Sequence, residues 1–410
     1  MTDPTELAER VREGDLRLHE LEEHADPDAA TAARRELLES ETDADLDAIG
    51  SYGFEAERAD PNVENMIGAA QVPVGIAGPV EINADEGDAP NGAAAGEFYL
   101  PIATTEGALV ASINRGCSTI NAAGGATARV TKSGMTRAPV FRVGDVAEAA
   151  ALVEWVRENE ERLAERAETT TSHGELLGVT PYVVGDSVFL RFRYDTKDAM
   201  GMNMATIATG EAAELVEEET SASLVALSGN LCTDKKPAAV NAVEGRGRSV
   251  TADVSLPREL VEDRLHTTPE AMAEINTRKN HVGSAKAGSL GFNAHVANAV
   301  AGMFLATGQD AAQVVEGSNA ITTAEVRGAE LYVSVSIASL EVGTVGGGTK
   351  LPTQAEALDL LGVRGGGDPP GANADALAEC IAVCALAGEL SLLAALGSRH
   401  LSSAHADLGR

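Results

Sequence analysis

The chain has 410 residues, 44% of them hydrophobic, enough for two or three compact units that each bury a core. Its 63 acidic residues against 31 basic ones give a formal net charge of -32, and a polyanion of that kind excludes nucleic acid as a partner. The acids are spread along the chain and aromatic residues make up only 3%, a pattern that points to a high-salt cytosol where cations screen carboxylate repulsion.

From Thr5 to about Ile49, Leu, Ala and Val recur at helical intervals among dense charge, and Asp26-Pro27 marks a break. This predicts an N-terminal helical segment over residues 1–50. Met1 is followed by Thr2, Asp3 and Pro4, without the basic start and apolar run of a signal peptide, so a cytoplasmic protein is expected. A Pro- and Gly-rich run from Asp60 to Pro79 comes next, and GEFYLPIATTEG then predicts a strand that delivers a loop.

APVFRV predicts a strand, and Asp145 to Glu168 an amphipathic helix with Val146, Ala149, Val153 and Val156 on one side. GVTPYVV and SVFLRFRY predict two strands joined by the turn pair Gly185-Asp186. A helix through Glu211 to Glu218 and a strand in SASLVALSG complete the run. Strand, helix, strand, strand, helix, strand is the order of a ferredoxin-like, split βαβ unit. The expected fold is α+β, with this small unit over 138–227 inserted in a larger domain over 51–137 and 228–410. The stretch GVRGGGDPPGANAD predicts a loop, with Asn373 or Asp375 as cap of the next helix. Leu377 to Gly397 carries Glu379 and Glu389 and is too polar for an unaided membrane span, so it predicts a buried helix and no membrane association. Cys117, Cys232, Cys380 and Cys384 show neither zinc-site spacing nor disulfide density, so no metal is expected.

Four segments concentrate chemistry-bearing residues: TTEGALVAS around Glu106, CTDKKPAAVN around Lys235, GQDAAQ around Asp310 and SSAHADLGR around His405. Each alone is ordinary, since a Lys pair is usually solvated and an Asp before Ala-Ala can simply cap a helix. Together with ENMIGAAQVPVGIAGP, DAMGMNM and GTVGGGT, in that sequence and order, they resemble the HMG-CoA reductase family over nearly everything after Glu64.

The resemblance implies two successive hydride transfers from NADPH that turn HMG-CoA into mevalonate and free CoA, a step of isoprenoid lipid biosynthesis. It implies that Lys235 stabilises the oxyanion and that Glu106, tuned by the nearby Asp310, gives a proton to the aldehyde. His405, preferred over His400, protonates the CoA thiolate. Substrate binding falls to Arg137, Ser228, Asp234, Lys236 and Lys279, with Asn298 in support. Ser112, Asn114 and Arg115 contact CoA or else cap the following helix. Cofactor binding falls to Asp198, Met200, Gly201, Met202 and Asn203, to Gly343, Thr344, Gly346 and Gly347, and to Ser172 and His173 near the adenosine 2′-phosphate. ENMIG corresponds to the family's subunit contact, which implies a homodimer or higher oligomer with shared sites. The competing readings are a catabolic, NAD-dependent oxidation of mevalonate and an inactive CoA-binding protein.

The dispersed acidic charge predicts salt-dependent stability. The thermal melting temperature should climb steadily from dilute buffer to molar potassium chloride; an unchanged melting temperature across that series contradicts the high-salt reading.

Overall fold

A computed structural model describes residues 3–42, 44–59, 61–84, 93–171 and 173–398. Ser172, His400 and His405 lie outside the described residues. The N-terminal segment is helical as expected, with helices Pro4–Arg12 and Pro27–Thr42. Asp26 accepts from the Ala29 N–H at 2.9 Å and so starts the second helix. Leu7, Leu16, Leu21, Ala30 and Ala33 form a small core of their own. Arg34 is buried and donates to the Leu18 carbonyl through Nε (3.0 Å) and Nη2 (2.6 Å) and to the Met66 carbonyl through Nη1 (3.4 Å). Arg35 donates to the Ile67 carbonyl at 2.9 Å, so the two arginines latch this segment onto ENMIG.

Strands β1 (Val74–Ile82) and β2 (Gly96–Ala103) form an antiparallel ribbon. The remaining strands are β3 (Thr127–Arg137), β4 (Val140–Arg142), β5 (Glu175–Val184), β6 (Ser187–Asp195), β7 (Ser223–Ala226), β8 (Arg246–Pro257), β9 (Ala320–Arg327) and β10 (Glu330–Leu340). They make one larger antiparallel sheet in the order β7-β4-β6-β3-β8-β10-β9, with β5 on β6. The Gly185-Asp186 turn pairs Val184 with Ser187 as expected. β3 belongs to both halves of this sheet: Thr127–Gly134 pair with β8, whereas Met135–Arg137 pair with β6.

Two cores result. The larger surrounds the helix Ala372–Gly397, whose Leu377, Ile381, Leu386, Leu390 and Leu393 are fully buried; contrary to the expectation from its two glutamates, the helix is long and apolar enough to cross a membrane, but as expected it is spent on the protein interior. All four cysteines are buried and unpaired. The smaller core joins Phe141, Leu152, Val156, Leu190, Phe192, Tyr194 and Val216, and Met135 reaches into it from β3.

Three expectations are corrected. The stretch 145–168 forms two helices, Val146–Glu158 and Glu160–Glu168, broken at Asn159, whose φ of -118° and ψ of 20° leave helical geometry. Their buried face is Ala149, Leu152, Val156 and Leu163; Val146, in the first turn, is exposed. Neither Asn373 nor Asp375 caps the long helix, because Asn373 donates to the Gly365 carbonyl (3.2 Å) and Asp375 accepts from Arg248 (2.7 Å). The cap comes from Asp198, distant in sequence, which accepts from the N–H groups of Gly371 (2.7 Å) and Ala374 (3.1 Å).

Candidate active site

The loop between β7 and β8 carries Ser228, Asp234, Lys235 and Lys236, and it holds Asn230, Thr233 and Lys235 in left-handed conformation at φ of 63°, 49° and 58°. Such backbone costs about 1–2 kcal/mol per non-glycine residue and persists only where the surroundings enforce it. Enforcement comes from below. Arg246, at the start of β8, has no solvent exposure and pairs with Asp234 (3.2 Å), Glu341 (3.0 Å) and Glu316 (3.6 Å). Gln313 accepts from Arg246 (3.1 Å) and donates to Asp234 (2.9 Å). Glu316 accepts the Lys235 peptide N–H. Above this base the Lys235 ammonium meets Asp310 at 2.9 Å, and that hydrogen bond holds the lysine above its ordinary pKa. Asp310 also caps the turn after it, accepting from the Ala312 N–H at 3.1 Å, so its capping and pairing readings hold together.

The two glycine-rich motifs lie side by side, joined by a bridge between Ala199 and Val345. A side chain at Gly343 would meet the Met200 nitrogen at 2.4 Å, so only glycine permits this approach. Thr344 donates its N–H to the Asp198 carbonyl at 2.8 Å. Gln309, beside Asp310, exchanges hydrogen bonds with the Gly343 backbone, both at 2.9 Å. Met202 opens the helix Met202–Glu219, and its sulfur accepts from Arg137 (2.7 Å) and Arg246 (3.5 Å). Both motifs therefore adjoin the Lys235–Asp310 pair. The Asp198 side chain is corrected from ligand contact to support, since its oxygens are taken by Gly367 (2.9 Å), Gly371 and Ala374. Met200 and Thr344 are likewise turned inward, whereas Asn203 is exposed, and Gly346 and Gly347 face open space.

The family model for hydroxymethylglutaryl-coenzyme A reductase matches residues 30–410. The chain is 76% identical over 410 residues to the 3-hydroxy-3-methylglutaryl-coenzyme A reductase of Haloferax volcanii, covering 100% of both chains. It is 71% identical over 409 residues to that of Halobacterium salinarum, covering 100% of this chain and 99% of the relative. The chain belongs to the hydroxymethylglutaryl-coenzyme A reductase family. Its α+β fold is also that of the class II reductase from Streptococcus pneumoniae bound to NADPH in open conformations, at 20% identity and a TM-score of 0.66 over 96% of this chain and 97% of that one.

Other residues that the family pattern marks sit on different elements of this reductase-family chain. Glu106 is exposed just ahead of the helix Leu109–Ala122, its N–H donating to Thr104 Oγ1 at 3.0 Å, and among the described residues it makes no hydrogen bond or ion pair with Lys235 or Asp310. Asp310 is paired with Lys235 instead of with Glu106. Lys279 is exposed on a π-helical turn, Asn276–Gly283, where it donates to Asn280 at 3.1 Å, and Asn298 lies in the helix Val296–Thr307. Arg115 donates to the Ser391 side chain (3.0 Å) and carbonyl (2.6 Å), and Ser112 shares the Ser391 hydroxyl at 2.8 Å. Asn114 accepts from the Gly78 N–H at 3.0 Å. None of these three caps its helix. His173 is exposed, with its N–H on Thr171 Oγ1 at 3.2 Å; Ser228 lies 3.7 Å from the Cys232 sulfur, and Lys236 donates to the Asp234 carbonyl at 2.9 Å.

Sequence reasoning missed Arg246, Gln313, Glu316 and Glu341. The available signal was a charge inside an apolar run, as in ASLEVG. Burial pushes the Glu341 carboxyl up to about 8, Arg246 opposes the rise and Glu316 adds to it. A carboxyl raised on folding keeps a proton that the unfolded chain has lost. Its contribution to stability is complete below the unfolded value of 4.5 and is lost as pH climbs through about 8. Glu341→Gln should therefore show a smaller fall in melting temperature than the wild type between about pH 5 and about pH 8. An equal fall in both proteins means that Glu341 does not retain the proton.

Proposed function

We propose that this chain reduces HMG-CoA to mevalonate and free CoA with two equivalents of NADPH, in the cytosol, as a homodimer whose sites are completed across the subunit boundary. The observation that carries this reading is the Lys235–Asp310 pair, linked through Gln309 to the Gly343 motif, which bridges in turn to the Ala199 motif.

The residues at those motifs suit a dinucleotide. The helix Met202–Glu219 opens at Gly201 without a side-chain cap, leaving peptide N–H groups for an anion, and Gly346 and Gly347 leave room for close approach. When bound there, NADPH supplies the hydride. Met202, Asn203, Gly346 and Gly347 would hold it, with Ser172 and His173 at the adenosine phosphate. Asp198, Gly201, Gly343 and Thr344 shape the cradle from behind.

Lys235 presents a fixed cation to the oxygen that becomes negative as the thioester and then the aldehyde are reduced, and a cation in a dry site stabilises that charge far better than water does. Asp310 holds the ammonium in place. Ser228, Lys236 and Arg137, whose Nη1 is left by Thr206 and Met202, face the substrate carboxylate together with Lys279 and Asn298. Glu106 gives the aldehyde its proton and His405 protonates the CoA thiolate. Among the described residues Glu106 makes no hydrogen bond or ion pair with Lys235 or Asp310, and this reading takes a second copy as its source. An apolar cleft of about 670 Å³, lined by Phe54, Val72, Val74, Ile76, Leu305 and Leu360, supplies a face for that copy, because Val74, Ile76 and Leu360 are exposed on the single chain.

Lys235→Ala should lower kcat with both HMG-CoA and added mevaldehyde by about two orders of magnitude or more, at an unchanged melting temperature. Near-normal turnover of either substrate by the folded variant removes Lys235 from this role.

A further inference from the structure

Asp310, Gln313 and Glu316 recur at three-residue intervals on a tight turn, Ala311–Gln313, that runs into the short helix Val314–Gly317. Residues three apart align on such a turn. Each of the three grips the neighbouring loop at a different point: Asp310 takes the Lys235 ammonium (2.9 Å), Gln313 the Asp234 carboxylate (2.9 Å) and Glu316 the Lys235 peptide N–H.

Glu316 is the unexpected member. It is fully buried, desolvation pushes its carboxyl up, and its Oε2 has no hydrogen-bond partner among the described residues. Balancing Arg246 does not account for it, because the Asp234 carboxylate sits closer to the guanidinium, at 3.2 Å against 3.6 Å. The direct hydrogen bond of Glu316 goes to the backbone of Lys235, whose φ of 58° is a conformation that a lysine adopts only when held.

We propose that Glu316 is a positioning residue for the reduction: by accepting the Lys235 peptide N–H it fixes the left-handed turn and so aims the ammonium at Asp310. This rests on the reading of Lys235 as the cation that stabilises the oxyanion.

Two variants separate the hydrogen bond from the charge. Glu316→Gln keeps an acceptor of the same length without the charge; Glu316→Asp keeps the charge but withdraws it by one methylene from the N–H. The Gln variant should retain kcat within about threefold while the Asp variant loses about tenfold or more, with KM for NADPH and HMG-CoA unchanged and both melting near the wild type in high salt. Asp equal to or better than Gln overturns the proposal. Amide hydrogen exchange of Lys235 gives a readout independent of the Asp variant: protection in the wild type and in Glu316→Gln is expected, and rapid exchange in the folded wild type also overturns it. A Lys235→Ala control that turns over normally strikes the site reading itself, whatever the order of Asp and Gln.

Discussion

A guanidinium with no contact with solvent lies beneath the candidate active site, and the loop that carries Lys235 is built on it. Arg246 meets three carboxylates and one amide, a surplus of acid that a dry interior tolerates only if some of it stays neutral. Burial pushes the Glu341 carboxyl up and favours its neutral form, and the remaining acids face two cations, Arg246 and Lys235. Removing Arg246, the one buried cation of the cluster, would leave buried carboxylates uncompensated, typically a loss of about 3–5 kcal/mol. Chemistry and stability are tied together at this point. The loop cannot relax its left-handed residues without breaking contacts at Asp234 and Lys235.

The same economy of acids recurs elsewhere in a chain with a net charge of -32. Glu389, inside the long helix, accepts from the N–H groups of Ala294 (2.8 Å) and His295 (2.7 Å) and from the Thr322 hydroxyl (2.7 Å), which anchors the start of the helix Val296–Thr307. Glu379, nearly three turns earlier, accepts from Ala94 (2.7 Å) and Val130 (3.1 Å) and ties the approach to β2 and the middle of β3 to that helix. Asp198 closes the opposite end. In each case a buried carboxyl accepts from peptide donors that regular structure leaves without an acceptor, and for Asp198 and Glu389 a helix N-terminus also favours the negative charge. Surface acids hold water and cations; these interior ones hold backbone.

Local chemistry made part of this legible in the sequence. Gly185-Asp186 between two alternating runs fixed a hairpin, and two glutamates in an apolar stretch marked a buried helix. The α+β class followed from the order of strand and helix patterns, and the reductase family from long motifs in order. The rest depends on distance in sequence. Arg246 and Glu316 look like surface charge until two strands, β8 and β10, and a short helix bring them to Glu341. Asp198 sits in a cofactor-like motif, but its carboxylate caps a helix more than 170 residues away, and no local pattern encodes that partnership. The break at Asn159 was hidden because both flanking stretches keep helical spacing.

Among the described residues Glu106 makes no hydrogen bond or ion pair with Lys235 or Asp310, and the function we propose therefore takes Lys235 of an active site from one subunit and Glu106 from the other. Mixing inactive Lys235→Ala with inactive Glu106→Gln, after dissociation and reassembly, tests it directly. A hybrid dimer with shared sites carries one wholly native site, so random reassortment should restore about a quarter of wild-type specific activity. No recovery in reassorted hybrids would place both residues in one subunit's site and contradict the account.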